Sequence, residues 1–166
     1  MAKKPKPSLA TPTDLKSNSA MSVADALNGI LADSFALYFK TKNFHWHVSG
    51  PHFRDYHLML DDQATQIFAT TDVIAERVRK TGNTTLRSIG DISRHQSIKD
   101  NDAEFVSAAD MLKELRDDNL ALVAKLREAK DIVDAAKDNA TSGILDEWTD
   151  QAEERAWFLF ETARNA

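Results

Sequence analysis

The residues best suited to chemistry are concentrated in one stretch, residues 44–62, with the sequence FHWHVSGPHFRDYHLMLDD. It holds four of the chain's five histidines together with three aspartates. Imidazole nitrogens and carboxylate oxygens bind divalent transition metals, and the same groups act as general acids and bases. Thiolate ligands are excluded because the chain has no cysteine. Which chemistry applies depends on where the surrounding elements place these side chains.

The composition favours a single helical domain. The chain has 166 residues, of which 42% are hydrophobic and 28% charged, as in an ordinary globular protein. It contains only five glycines and four prolines, and three of the prolines lie within the first twelve residues. Long helices are therefore favoured over short strands. The absence of cysteine suits a reducing compartment. Neither a membrane span of about 18 apolar residues nor a secretory signal is present, and we expect a cytoplasmic location without membrane contact.

Charge is distributed unevenly along the chain. The formal net charge is −5, yet residues 1–21 carry one acidic residue against four lysines, Lys3, Lys4, Lys6 and Lys16. Prolines and serines accompany these lysines, and no helical apolar pattern is visible. The sequence therefore predicts a disordered basic tail over residues 1–21 and an acidic folded domain over residues 22–166.

Apolar residues recur every three or four positions in four long segments. The predicted helices run from Ser22 to the Ser-Gly-Pro break at residues 49–51, from about Pro51 to Lys80, from about Asp102 to Lys137, and from about Thr141 to Ala163. Phe53 and Phe160 are among the side chains expected to face the core. The polar residues 82–103 leave room for a short helix at SIGDISR. The pattern predicts an all-α four-helix bundle with a short extra helix in the long connection between helices 2 and 3.

Four ionisable side chains of the predicted second helix share one face. At about 100° per residue, His57, Asp61, Asp72 and Glu76 fall within an arc of about 100° beside the apolar stripe. Ionisable groups near a core need partners or a metal. Asp61 and Asp72 are about 16 Å apart along the axis, whereas metal–ligand bonds are only about 2.0–2.6 Å long. The helix therefore offers two half-sites, His57 with Asp61 and Asp72 with Glu76.

A symmetric pair of chains would bring these half-sites together. If a two-fold partner packs its second helix antiparallel, Asp72 and Glu76 of one chain face His57 and Asp61 of the other, and two identical sites form. His45, on the inward face at the end of the first helix, would complete each site. The alternative is that the four groups form a solvated face. Solvation or capping is also the simpler interpretation of the other histidines, which are His47, His52 and His95. For the neighbouring Trp46, packing is the simpler interpretation.

The types and spacing of these residues resemble the signature of the Dps family, the mini-ferritins that protect DNA in starved bacteria. The resemblance is carried by His45-Trp46, by GPHF, by His57 with Asp61, by DVIAER at residues 72–77, and by the closing WTDQAEERAWFLFE. It covers about residues 22–164. It implies a ferritin-like fold and ferroxidase ligands at His45, His57 and Asp61 of one subunit with Asp72 and Glu76 of its two-fold mate. The Glu-x-x-His pattern of classical ferritins is absent.

The resemblance implies an enzyme, a ferroxidase, that binds and oxidises iron. Fe(II) is expected to be oxidised between subunits, preferentially by hydrogen peroxide, and ferric mineral to be stored inside a dodecamer built from two-fold dimers. Sites with few ligands, many carboxylates and open positions suit this chemistry. Acidic pores are a further family feature. Asp131, Asp134 and Asp138 are candidates for them, although a solvated face explains these residues more simply.

The alternative function is non-specific DNA binding and nucleoid compaction. Many Dps proteins bind DNA through a lysine-rich N-terminal arm, and this chain carries Lys3, Lys4, Lys6 and Lys16 in the corresponding segment. Lysines without a base-reading motif would contact phosphates without sequence preference. The two functions are compatible, and DNA binding would place the cytoplasmic protein at the nucleoid.

Overall fold

The computed structural model describes residues 8–164, and five helices account for most of them. In chain order they are α1 (Ser17–His47), α2 (Phe53–Lys80), α3 (Ile89–His95), α4 (Ala108–Ala136) and α5 (Asn139–Thr162). In the bundle, α1 packs against α2 and α4, and α4 packs against α5. No strand occurs between residues 8 and 164, and no helix in that range is long and apolar enough to cross a membrane. The predicted all-α four-helix bundle with a short extra helix is confirmed.

The first helix begins earlier than predicted. It starts at Ser17 rather than Ser22, because the N–H of Ala20 bonds the carbonyl of Lys16 at 2.8 Å and the Ala20 side chain is buried. The prediction of disorder is therefore wrong for residues 17–21, which are helical. Lys16 is exposed at the cap of this helix. The three remaining tail lysines lie outside the described residues: Lys3, Lys4 and Lys6.

Side-chain caps and one left-handed residue set the ends of α4 and the start of α5. The fourth helix starts at Ala108 instead of about Asp102, because the Ser107 hydroxyl accepts a hydrogen bond from the N–H of Asp110 at 3.1 Å. It ends where Lys137 adopts a left-handed conformation with φ of 60°. Asp138 then caps α5 by accepting a hydrogen bond from the N–H of Thr141 at 3.1 Å.

The core is a continuous cluster of aliphatic side chains with few aromatic residues. Phe44 is the largest of the fully buried side chains, and Leu27, Leu60 and Leu115 have no exposed surface. Two aromatic residues predicted to face this core do not: Phe53 is 46% exposed and Phe160 44% exposed. Phe53 opens the first turn of α2, where its ring lies against that of His57. The adjacent Leu159 takes the inward position on α5, so Phe160 points about 100° away from it.

A buried aspartate of α1 binds the long connection between α2 and α4, residues 81–107. Asp33 is 1% exposed, and its carboxylate accepts hydrogen bonds from the N–H groups of Ser97 and Ile98 and from the Ser97 hydroxyl. The Lys125 ammonium contributes an ion pair at 2.5 Å. Because Ser97 follows α3 by two residues, these contacts hold α3 against α1.

A buried arginine links three of the helices. Arg155 of α5 is 4% exposed and donates hydrogen bonds from Nε to Asn119 on α4 (2.8 Å) and from Nη1 to Gln66 on α2 (2.7 Å). Burial lowers the pKa of its guanidinium to about 10, so the group stays charged at neutral pH. Amide oxygens thus take the place of carboxylates as its hydrogen-bond acceptors.

Candidate metal centre

Two histidine rings stack where α1 ends and α2 begins. His45 lies in the last turn of α1 and is 7% exposed, and His57 lies near the start of α2. The ring centroids are 3.8 Å apart, and the planes differ by 23°. The short break between the helices, residues 48–52, makes this contact possible because it lets α2 turn back along α1.

The two histidines fix each other's tautomer. The Nδ1 of His45 lies 2.7 Å from the carbonyl oxygen of His57, and the Nδ1 of His57 lies 2.9 Å from the carbonyl oxygen of His45. A carbonyl oxygen only accepts, so each Nδ1 carries the hydrogen and donates it. In the neutral ring this leaves the lone pair on Nε2, which is the nitrogen that can bind a metal.

Asp61 lies one turn after His57 on the same face of α2. Its Oδ1 accepts a hydrogen bond from the Lys42 ammonium at 2.6 Å and lies 3.9 Å from Nε2 of His45. The hydrogen bond from Lys42 holds the pKa of the Asp61 carboxyl below its ordinary value of 3.8. The carboxylate is therefore anionic at neutral pH, and 48% of its side chain is exposed to solvent.

His45, His57 and Asp61 lie close together, and we treat them as a candidate half-site that is open to solvent at Asp61. The 3.9 Å separation between Nε2 of His45 and Oδ1 of Asp61 is too long for a hydrogen bond. One ion with bonds of about 2.0–2.2 Å can join two atoms up to about 4.2 Å apart. Lys42 holds the same carboxylate oxygen, so a metal cation and the ammonium would compete for Asp61.

The other two predicted ligands are not part of this half-site within one chain. Asp72 and Glu76 lie about three and four turns further along α2, and both are exposed. Glu76 pairs with Lys80 at 3.2 Å. Because α2 is continuous, the two half-sites are held apart, and within residues 8–164 no group of three or more histidines and acidic residues is arranged to hold a metal. A single chain does not assemble the predicted five-ligand site.

An apolar groove adjoins the open half-site. It encloses about 900 Å³ between α1 and the α3 region, and its walls include Phe39, Trp46, Phe68, Ile89 and Ile92. The first four of these side chains are each at least half exposed. Phe39 contacts Trp46 edge to face at 6.0 Å, and the Lys42 ammonium lies 5.9 Å from the Trp46 ring. An exposed apolar patch rimmed by polar groups is typical of a protein contact.

Comparison with known proteins places the chain in a family. The family model of the ferritin-like domain matches residues 24–165. A DNA protection during starvation protein from Brevibacillus brevis is 33% identical over 145 residues, which cover 87% of this chain and 97% of that protein. The chain belongs to the Dps family. The resemblance inferred from the histidine and carboxylate spacing is confirmed.

Solved Dps structures have the same fold. A Dps protein from Bacillus brevis superposes with a TM-score of 0.85 at 32% identity, covering 89% of this chain and 99% of that one. A Dps protein from Vibrio cholerae O1, described as a member of a broad superfamily of ferritin-like diiron-carboxylate proteins, superposes with a TM-score of 0.86 and covers 95% and 98%. Its identity is 20%, so this second likeness concerns the fold. The ferritin-like fold is confirmed.

The remaining histidines of this Dps chain have local partners. The Nδ1 of His47 bonds the carbonyl of Asn43 at 2.8 Å, and that of His95 bonds the carbonyl of Asp91 at 2.8 Å. His52 precedes α2, and its ring lies 5.7 Å from that of Tyr56. All three histidines are exposed and lie outside the stacked pair, which agrees with solvation or capping.

One of the three acidic pore candidates has a structural role instead. Asp138 is 5% exposed, and its carboxylate accepts hydrogen bonds from the N–H and hydroxyl of Thr141 and from the Arg77 guanidinium. Neither a pore role nor the simpler interpretation of a solvated face holds for Asp138, because its oxygens are engaged inside the chain. Asp131 and Asp134 are exposed, and Asp134 accepts a hydrogen bond from the Ser142 hydroxyl at 2.7 Å.

The role of Lys42 and the paired carbonyl contacts could not be predicted from the sequence. Lys42 precedes His45 by three residues, so the two side chains lie on one side of α1. Its partner Asp61 is 19 residues away on α2, and spacing within one helix does not reveal a contact between helices. The Nδ1 contacts of His45 and His57 cross the same turn and were hidden for the same reason.

Proposed function

We propose that this Dps family protein is a ferroxidase whose active site is shared between two chains. The observation that carries the proposal is the pair of histidines with free Nε2 atoms beside the ionised carboxylate of Asp61. Imidazole suits Fe(II), and carboxylate suits the harder Fe(III) product. Membership in the ferritin-like domain family and in the Dps family supports iron as the metal.

The second half of the proposed site comes from a two-fold partner. Asp72 lies about 16 Å and Glu76 about 22 Å along α2 from Asp61, so an antiparallel α2 of a second chain would bring its own Asp72 and Glu76 opposite His57 and Asp61. The proposed ligand set is then His45, His57 and Asp61 of one chain with Asp72 and Glu76 of the other. Two identical sites arise at each two-fold contact.

The apolar groove supplies the surface for this contact. Trp46 and Phe39 line it, and Trp46 directly follows the ligand His45. Aromatic residues are enriched at the buried centres of protein interfaces. A second copy that covers the groove therefore removes exposed aromatic surface and brings the half-sites together in one step. Two-fold dimers of this kind would build the closed dodecamer in which ferric mineral is stored.

Iron enters the proposed reaction as substrate. A pair of Fe(II) ions supplies the two electrons that convert one hydrogen peroxide and two protons to water, which consumes both reactants of hydroxyl-radical formation. His45 and His57 bind the ion through Nε2, and their paired carbonyl contacts hold the rings in place. The Lys42 ammonium holds Oδ1 of Asp61, so a metal that binds the same oxygen has to displace it. The ammonium therefore acts as a competitor that weakens Fe(II) binding.

An anaerobic Fe(II) titration followed by addition of peroxide tests this function. The absorbance of Fe(III) should rise faster with the protein than in buffer, and faster with peroxide than with dioxygen. Asp61→Ala and Glu76→Ala should each slow the reaction by at least about tenfold, because each removes an anionic ligand. The matched control is Asp62→Ala, which removes the adjacent, exposed carboxylate. Wild-type rates in both ligand variants would contradict the proposed site.

DNA binding is a second proposed function, favoured by the four lysines in the first sixteen residues. The Brevibacillus brevis relative is named for DNA protection. One short arm would bind phosphates weakly, but several arms on one shell could raise the affinity by roughly 10²–10⁴. A protein acting in this way would work in the cytoplasm, at the nucleoid.

Retardation of plasmid DNA in a gel tests the second function. The wild type should retard plasmid at about 50 mM salt and lose this ability by about 200 mM, because binding releases counterions. The variant Lys3→Gln, Lys4→Gln, Lys6→Gln should fail to retard DNA while keeping ferroxidation. A matched control changes three exposed lysines of the folded part, Lys99, Lys113 and Lys137, to glutamine. Equal loss in both triple variants would contradict a role of the arm.

A further inference from the structure

The segment before α1 is in contact with the end of α2. The Nη2 of Arg79 donates a hydrogen bond to the carbonyl of Leu9 at 2.5 Å and lies 3.4 Å from the Thr11 hydroxyl. The other terminal nitrogen of Arg79, Nη1, bonds the carbonyl of Asn83 just beyond the helix. One guanidinium thus joins the N-terminal segment to the turn that follows α2.

The turn after α2 is shaped to receive this segment. Gly82 has φ of 90°, a conformation that side chains with a Cβ rarely adopt. A Cβ at this position would lie 2.9 Å from the carbonyl oxygen of Thr11 and 3.4 Å from the methyl group of Thr13. The missing side chain of Gly82 therefore leaves the space through which the backbone at Thr11 passes.

Local hydrogen bonds shape the segment itself. The Ser8 hydroxyl accepts a hydrogen bond from the N–H of Ala10, and the Thr13 hydroxyl accepts one from the N–H of Leu15. The turn after α2 is also bound to α1, because the side-chain amide of Asn83 donates a hydrogen bond to the carbonyl of Ala20 at 3.0 Å. The chain before α1, the start of α1 and the end of α2 are thereby held together.

We propose that residues 9–13 form a strap docked on the C-terminal end of α2, held by Arg79 and Gly82, and that the strap limits how far the basic arm reaches. Lys3 precedes Leu9 by six residues, so it reaches at most about 20 Å from the strap. Lys3 precedes Ser17, the start of α1, by fourteen residues. Once the strap is released, Lys3 can therefore reach up to about 50 Å from Ser17. The strap does not depend on DNA binding; its effect on DNA rests on the second proposed function.

Tryptic removal of the arm from the assembled full-length protein tests the strap. Lys4 and Lys6 each precede proline, where trypsin does not cut, so the first cleavage next to the strap falls after Lys16. Mass spectrometry should show slow cleavage there in the wild type. Arg79→Ala removes a charged hydrogen-bond donor and should speed cleavage by at least about tenfold. Gly82→Ala should do the same through the clash with Thr11.

The control is Arg87→Ala, which removes an exposed arginine from the connection that follows and should leave the wild-type rate unchanged. Helix content measured for each variant separates strap release from unfolding of the bundle. Cleavage of Arg79→Ala at the wild-type rate, with helix content preserved, would overturn the proposal. Equal acceleration in Arg79→Ala and Arg87→Ala would overturn it as well, because charge rather than the strap would then govern cleavage.

Plasmid retardation by the uncut variants tests the effect on reach. Arg79→Ala should retard plasmid at lower protein concentration than Arg87→Ala, although both lose one positive charge. Faster cleavage without retardation in any variant supports the strap and contradicts the proposed DNA binding. Faster cleavage with equal retardation by the two variants contradicts the limit on reach.

Discussion

Two lysines of α1 each pair with carboxylates of a neighbouring helix, and the two clusters differ in how far they are exposed to solvent. Lys40 is 4% exposed, and its ammonium lies 2.8 Å from Glu114 and 2.7 Å from Asp118 on α4. Lys42 pairs with Asp61 on α2, and 48% of that carboxylate side chain is exposed. Two residues correspond to about 200° around a helix, so the lysines face opposite neighbours. One cluster is closed, and the other is open to solvent.

The pKa values of the two aspartates move in opposite directions. Burial raises the pKa of the Asp118 carboxyl, and the hydrogen bond from Lys40 offsets only part of that effect. The hydrogen bond from Lys42 lowers the pKa of the Asp61 carboxyl and outweighs the opposing effect of burial. A closed cluster therefore serves the fold. The Asp61 carboxylate is ionised, accessible to solvent and close to two imidazoles, so it is available to a cation from solvent. The same residue types are therefore available for binding at Asp61.

Breaking the closed cluster should have the largest effect on stability. Lys40→Met leaves Glu114 and Asp118 without their buried cation, so we expect the free energy of unfolding to fall by about 3 kcal/mol. Urea denaturation measures this change. Lys42→Met is the matched control on the same helix and should cost less than about 1 kcal/mol. Similar losses in both variants would show that the two clusters do not differ as described.

A second closed cluster, at the start of α5, should have an intermediate effect. Asp138→Ala removes the cap of α5 and the partner of Arg77, and should lower the free energy of unfolding by about 2 kcal/mol. Asp138→Asn keeps an oxygen that can cap the helix and should cost less. Urea denaturation of the two variants separates the cap from the ion pair. An equal cost for both would assign the whole effect to the lost charge.

The pH dependence of stability should follow the same carboxyl. Burial disfavours the charged form of Asp138, but hydrogen bonds from Thr141 and Arg77 outweigh it and hold the pKa of the carboxyl below 3.8. Because the folded pKa is lower than the unfolded one, this stabilisation is present above pH 3.8 and is lost as the pH falls through the folded value. Unfolding free energies of Asp138→Asn should therefore change less on acidification than those of the wild type.

Removing the Lys42 ammonium from the proposed half-site should have the smallest effect on stability and a measurable effect on Fe(II) binding. Lys42→Met frees the Asp61 carboxylate, so Fe(II) should bind more tightly in an anaerobic titration. Arg127→Met is the control, because it breaks an exposed ion pair with Glu153 between α4 and α5. Weaker Fe(II) binding in Lys42→Met would contradict the view that the ammonium competes with the metal.

The sequence was sufficient for the fold and for placing His57 and Asp61 on one face of a helix. Helical periodicity predicted the four long helices, because each carries its own apolar stripe, and SIGDISR marked the place of the short α3. The spacing of His57 and Asp61 placed them on one face of α2, where the structure also has them. The signature around His45 was sufficient to predict the family.

Other features depended on contacts that no local pattern encodes. The start of α1 at Ser17 follows from burial of Ala20 against the folded bundle. The pairing of Lys42 with Asp61 and the tautomers of His45 and His57 arise where two helices meet. The chain that would bring Asp72 and Glu76 to the half-site is a second molecule, and its docking is an inference from the site and the groove.

Reconstitution of mixed assemblies tests the shared site most directly. Chains carrying Asp61→Ala and chains carrying Glu76→Ala are unfolded together, refolded in equal amounts, and assayed for Fe(II) oxidation by peroxide. A two-fold dimer with one chain of each kind contains one intact site and one doubly defective site, so about a quarter of all sites should be active. If the site is shared, the mixture should oxidise Fe(II) faster than either variant assembled separately. Verified mixed assemblies without any recovery would place all the ligands within one chain and contradict a shared site.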